Sequence, residues 1–228
     1  MYSIFFSKIE LGMDLVIEPL KKIVKLNSKI AIFPWAFPIE ITSKEFETDY
    51  FPVKGKRYNK YLNELKKIGI EEQNVIVCNP YKDTRKELQE IIKTSDILLL
   101  PGGNPEMFFK KILHDTELIY DFKHYKGIVI GESAGTELQL KRYFITSKNN
   151  YYEYFAVYDG FGLIDNEFYI DVHTQDNEEY LNELNKYSKK TKSNIYAIFD
   201  DGAIIYNRKT NDLEQFGNIK IVEPNEES

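Results

Sequence analysis

Ser133 stands at the centre of Gly131-Glu132-Ser133-Ala134-Gly135, after the apolar run Gly127-Ile128-Val129-Ile130 and before Thr136-Glu137-Leu138-Gln139-Leu140. The run has strand character and the pattern after it reads as helix, so the serine falls at the apex of a strand-turn-helix. A residue in such an elbow is held in a strained backbone conformation, and the residues packed beside it must be nearly free of side chain. Gly131, Ala134 and Gly135 meet that need. A hydroxyl exposed there can act as a nucleophile, and the backbone N–H of Ala134 can stabilise an oxyanion. Gly-x-Ser-x-Gly on its own is also an ordinary turn; the flanking strand and helix give it meaning.

A serine hydroxyl is a weak nucleophile at neutral pH and requires a general base. The chain has three histidines. His114 precedes Asp115 at a helix boundary. His124 lies just before the elbow strand, on the sheet edge away from any ligand. His173 alone follows a strand-like run, Phe168-Tyr169-Ile170-Asp171-Val172, which puts it on the same edge as Ser133. The paired glycines of Pro101-Gly102-Gly103-Asn104-Pro105, between an apolar strand and a helix, offer further backbone N–H groups.

These residues must be positioned by a sheet. Tyr2 to Phe6 reads as a first strand and Met13 to Leu26 as a helix. Lys29 to Phe33 is a second strand, running into Pro34-Trp35-Ala36-Phe37-Pro38, either a binding wall or the lid of a core. Pro52 to Ile68 is an amphipathic helix closed by Gly69. Strand Asn74 to Cys78, a helix capped by Asp83 or Thr84 and ending at Lys93, strand Asp96 to Leu100 and helix Glu106 to Leu113 follow. Beyond the elbow come a strand at Tyr143 to Thr146, an aromatic-rich segment from Asn149 to Tyr158, and a polar helix at Asn177 to Lys189. A β-hairpin of Ile195 to Phe199 and Ala203 to Tyr206 is expected next, then a last strand or two within Glu214 to Val222. Strands alternating with helices, with wholly apolar runs such as Ile97-Leu98-Leu99-Leu100, imply a parallel sheet covered on both faces. Ligands then bind beyond the carboxyl ends of its strands.

The length of 228 residues fits one α/β domain over residues 1–222, with a disordered tail at 223–228. A hydrophobic content of 43% with 14% aromatics is globular, and the single cysteine, Cys78, excludes a disulfide within the chain and fits a reducing compartment. The start lacks the features of a signal peptide, and no apolar run reaches the length of a membrane helix, so a cytoplasmic location is expected. A net charge of -6, with lysines interspersed among glutamates, argues against nucleic acid as a partner. A small peptide substrate is the expected partner, and self-association as a homodimer is left open.

Taken together, LLLPGGNPEMFF, IVIGESAGTELQL and FYIDVHT resemble the glycine loop, the G-x-S-A-G elbow and the histidine-bearing strand of peptidase family S51, that of dipeptidase E and cyanophycinase. YAIFDDGAIIY is similar to the closing hairpin of that family, and the likeness runs from about Ile30 to Tyr206. The resemblance implies a three-layer sandwich with a mostly parallel central sheet, of the class I glutamine amidotransferase-like (flavodoxin-like) type. It also implies Ser133 as nucleophile, His173 as base, oxyanion donors from Gly103 and Ala134, no metal or cofactor, and short aspartyl peptides or aspartate-rich polymers as substrates.

The chain departs from the family in its acid. Dipeptidase E draws an aspartate from the segment after the elbow helix, where this chain has Ile145-Thr146-Ser147-Lys148-Asn149-Asn150; the amidotransferase position two past the histidine is Gln175. Glu153, Asp171, Asp176 and Asp201 remain open as substitutes, and Arg142 is the candidate cation for an acidic substrate. Two other readings stand beside the peptidase: a binding or regulatory scaffold that has lost its acid, and an α/β-hydrolase esterase. An amidotransferase proper would need a cysteine at the elbow, and Cys78 ends a different strand.

Overall fold

The computed structural model describes residues 1–37, 39–147, 154–165 and 167–224. Its strands are β1 (Tyr2–Phe6), β2 (Ile30–Ile32), β3 (Val75–Val77), β4 (Ile97–Leu100), β5 (Ile128–Glu132) and β6 (Arg142–Ile145), followed by β7 (Ala156–Asp159), β8 (Phe168–Val172), β9 (Asn194–Ile198), β10 (Ala203–Asn207), β11 (Leu213–Phe216) and β12 (Ile219–Val222). The helices are α1 (Ile9–Ile23), α2 (Ser43–Glu45), α3 (Lys56–Lys67), α4 (Arg85–Thr94), α5 (Pro105–Ile112), α6 (Thr116–Lys123), α7 (Ala134–Glu137) and α8 (Glu178–Thr191).

Seven strands form the main sheet in the order β11-β10-β1-β5-β4-β2-β3. The five from β1 to β3 in that order are parallel, and β10 and β11 extend the sheet antiparallel. Side chains alternate between two covered faces of the sheet, which explains why β2, β3 and β4 are apolar at every position. Phe5, Leu98, Leu100 and Val129 enter a core shared with Leu88 and Ile92 of α4, Phe108 of α5 and Phe122 of α6. Ile4, Phe6, Ile97, Leu99 and Ile130 enter the opposite core, with Met13 and Val16 of α1 and Leu62 and Leu65 of α3. The α/β three-layer sandwich expected from the sequence is therefore the architecture found. A third core lies under α8, where Tyr180 and Leu184 cover Ile195 and Ala197.

Several local expectations are corrected. The segments expected to pair as a hairpin do not pair with each other. β9 runs parallel to β8 and antiparallel to β12 in a separate three-stranded sheet, whereas β10 pairs with β1 and β11. The open edge of β1 takes five residues of β10 in register, and the intervening Phe199–Gly202 turn closes through Gly202 N–H to the Phe199 carbonyl at 3.0 Å. β11 and β12 part in the same way at Gly217, whose φ of +71° suits glycine. The elbow helix is one short turn, Ala134–Glu137, because Leu140 leaves it to bridge Ile164. The first helix begins at Ile9 and holds Pro19 in its interior. α6 is an additional helix, capped by the Asp115 side chain on Leu118 N–H.

The proline-aromatic loop after β2 is a core lid: Trp35 and Phe37 are buried, on opposite sides of the sheet. Pro38, residues 148–153 with Glu153 among them, and residues 225–228 of the expected tail lie outside the described residues. Among the described residues no helix is long and apolar enough to cross a membrane.

Candidate active site

β5 delivers Ser133 at the carboxyl edge of the main sheet with φ 50° and ψ -116°, a strained conformation for a residue with a side chain. The surrounding glycines make it attainable. A Cβ on Gly135 would lie 1.8 Å from the Leu100 carbonyl oxygen, and one on Gly131 would lie 2.3 Å from that of Gly135. The turn is anchored to the end of β1, where Ser133 N–H donates to the Phe6 carbonyl at 2.8 Å. Phe6 N–H in turn donates to the Thr136 hydroxyl at 3.1 Å.

β8 delivers His173, also at positive φ (56°), from the small sheet. Ser7, just past β1, fixes it: the Ser7 hydroxyl accepts from His173 N–H at 3.0 Å and donates to the Ile198 carbonyl at 2.7 Å. The imidazole thereby faces the elbow, with Nε2 at 2.9 Å from Ser133 Oγ. Its other nitrogen, Nδ1, lies 2.7 Å from Asp200 Oδ1, in the turn after β9. Lys8 Nζ lies 2.6 Å from the second oxygen of that carboxylate. Partial burial works to raise the Asp200 pKa, but its bonds to Lys8 and His173 prevail and hold the carboxyl below its usual range. The side chains of His173 and Asp200 remain 36% and 40% exposed, so the array is open to a substrate.

The glycine loop packs on the elbow. A Cβ on Gly102 would meet Ser133 Cβ at 3.2 Å. Gly103, at φ +145°, sits so tightly on Ala36 that a Cβ would lie 1.8 Å from the Ala36 carbonyl oxygen. That carbonyl accepts from Asn104 N–H at 3.1 Å and from the Tyr50 hydroxyl at 3.0 Å. Ala134 opens α7, so its N–H has no intrahelical acceptor. Ser133 and His173, 40 positions apart, are thus in hydrogen-bond contact, with the backbone of Ala134 and the Gly102-Gly103 loop beside them.

The acid at the histidine is none of the substitutes left open by the sequence. Asp171 is buried and accepts from the Thr174 hydroxyl at 2.6 Å and the Tyr180 hydroxyl at 2.8 Å. Asp176 is exposed in the loop before α8, and Asp201 is exposed beside the acid that makes the contact. Asp200 was missed: its place just past a strand is shared with Asp201, and that this strand lies next to the histidine's own follows only from the pairing of β8 with β9. Arg142 pairs with Asp159 at 3.4 Å across β6 and β7. His124 rests on Tyr120 with its Nδ1 at 2.8 Å from the Tyr120 carbonyl. Cys78 is buried past β3, with β2 and β4 between it and the elbow strand, and burial pushes its thiol pKa well up. Among the described residues no group of three or more His, Cys, Asp or Glu side chains could hold a metal ion.

Comparison with protein families matches residues 54–213 to Peptidase family S51, well over half of the chain. No curated protein matches. Among solved structures, the chain is similar to one described as a candidate peptidase E protein from Listeria monocytogenes EGD-e, at 15% identity and TM-score 0.62, covering 94% of this chain and 96% of that one. It is also similar to a peptidase from an acI-B1 Actinobacterium, at 15% identity and TM-score 0.59, covering 98% and 91%. At such identity these two bear on the fold.

Proposed function

Because the chain belongs to peptidase family S51 and is a serine-type peptidase, we propose that Ser133 is its nucleophile, His173 its general base and Asp200 the acid behind it, acting on short peptides. The observation that carries this reading is the hydrogen-bonded series Ser133 Oγ to His173 Nε2 at 2.9 Å and His173 Nδ1 to Asp200 Oδ1 at 2.7 Å.

In the mechanism, Ser133 Oγ attacks the scissile carbonyl while His173 Nε2 takes its proton. Asp200 accepts from Nδ1–H, which fixes the tautomer and stabilises the imidazolium that forms. The oxyanion receives backbone N–H bonds from Ala134 and Gly103. His173 then protonates the leaving amine, and water, deprotonated in turn by the imidazole, releases the acyl group. The scaffold reading arose from a missing acid, and Asp200 supplies a carboxylate at the required nitrogen. The esterase reading loses its support to the family match and the fold. Aspartyl dipeptides are the first substrates to try, on the family resemblance.

The test is to treat the purified protein with a serine-directed fluorophosphonate and weigh it. A single adduct mapping to Ser133, lost in Ser133→Ala, is expected. A folded sample with no adduct would overturn the assignment.

A further inference from the structure

The residue before the nucleophile is a buried carboxylate outside the series of three just described. Glu132, only 4% exposed, is the last residue of β5. Its Oε1 accepts from Lys60 Nζ at 2.6 Å and from Ile9 N–H at 3.1 Å, and its Oε2 accepts a short hydrogen bond from the Tyr61 hydroxyl. The same Oε2 would lie 3.4 Å from a Cβ on Gly102, so the carboxylate stands directly against the glycine loop. Lys60 is shared with Glu10 at 2.9 Å.

These partners come from the three segments that the site needs in register. Tyr61 and Lys60 belong to α3, Gly102 to the loop beside the nucleophile, and Ile9 follows Lys8, whose ammonium holds Asp200. A carboxylate taken out of water carries a large desolvation cost unless its partners are fixed. Once they are fixed, removing one of them is expensive, so such a group favours a single arrangement of its surroundings. We infer that Glu132, clamped by Tyr61 and Lys60, is a positioning residue that sets the glycine loop and the Lys8–Ile9 segment relative to Ser133. This role rests on Ser133, His173 and Asp200 being the catalytic residues proposed above.

Glu132→Gln and Tyr61→Phe test it, the latter keeping its ring stacked on Phe51. The second-order rate of fluorophosphonate labelling at Ser133 and the kcat on a cleaved dipeptide are expected to fall about ten- to a hundredfold in each. KM should stay within about twofold, because the loss falls on the transition state. Affinity for a peptide aldehyde, which forms a tetrahedral adduct, should fall in parallel with kcat/KM. Thermal unfolding establishes that each variant is folded; a variant that is not is replaced by Lys60→Met, on the more exposed side of the carboxylate. Folded variants that label and turn over like the parent protein overturn the positioning role alone. A parent protein that gives no adduct at Ser133 overturns the catalytic assignment and this inference with it.

Discussion

His173 Nδ1 lies 2.7 Å from Asp200 Oδ1, although the two residues sit in separate turns leaving adjacent parallel strands of the small sheet. The carboxylate is held from its other side by Lys8, which comes from the turn after β1 of the main sheet. The histidine is therefore oriented by an acid that is itself oriented, and each contact can be broken separately.

Asp200→Asn keeps the shape of the turn but replaces the carboxylate with an amide that can stabilise neither the required tautomer nor the imidazolium. The expected loss in kcat is about a hundred- to ten-thousandfold with little change in KM. Steady-state kinetics on a cleaved dipeptide measures it, and activity within a few-fold of the parent would count against Asp200 as the acid.

Lys8→Met removes the ammonium while leaving Asp200 bonded to His173. Because the Asp200 pKa is depressed in the folded protein, its ionisation contributes stability that is present above the unfolded carboxyl pKa of about 4 and lost as pH falls through the lower, folded value. The variant should thus be less stable than the parent at neutral pH, by no more than about 1 kcal/mol for so exposed a pair. The gap should close as the medium is acidified, and the acid-side loss of kcat should move to higher pH. Denaturant titrations across the pH range and a pH-rate profile give the comparison; a constant gap would refute the assignment.

Asp171 presents the opposite sign. Burial raises its pKa to about 7, against the lowering effect of its bonds from Thr174 and Tyr180, and Glu183 adds a further upward push. Buried Glu137, on α7, is pushed up as well, by burial first and Asp171 second. The folded state therefore holds a proton at Asp171 that the unfolded chain releases near pH 4. Its contribution to stability is full below about pH 4 and falls as pH rises toward about 7, by up to about 1.4 kcal/mol per pH unit. Asp171→Asn should flatten the decline in melting temperature over that interval. An unchanged profile would show that Asp171 is ionised at no cost.

The parts of the site carried by contiguous residues were legible in the sequence. Ser133 is announced by glycines whose absence of side chain is a steric necessity, since Leu100 and Gly135 carbonyl oxygens occupy the space. His173 is announced by the strand before it. Asp200 was not legible, because the choice between it and Asp201 depends on pairing across the chain. The parallel register that sets Val172 beside Ile198 puts His173 one residue, and Asp200 two residues, past that pair. The same blindness to long-range pairing turned β9 and β10 into an expected hairpin, since local sequence gives strand character and not strand partners. The helix Thr116–Lys123 did carry a local signal, Asp115 at its cap with Leu118 and Phe122 four apart on the buried side.

The separation of β9 from β10 divides the proposed catalytic residues between two sheets: the hydroxyl rides on the main sheet, and the imidazole and carboxylate ride on the small one. The Ser7 hydroxyl stitches them together through His173 N–H and the Ile198 carbonyl. Under the proposed mechanism, turnover is a gauge of how closely the two sheets are docked, and a slip of a single ångström along that seam would throttle the enzyme while the three side chains stayed chemically intact.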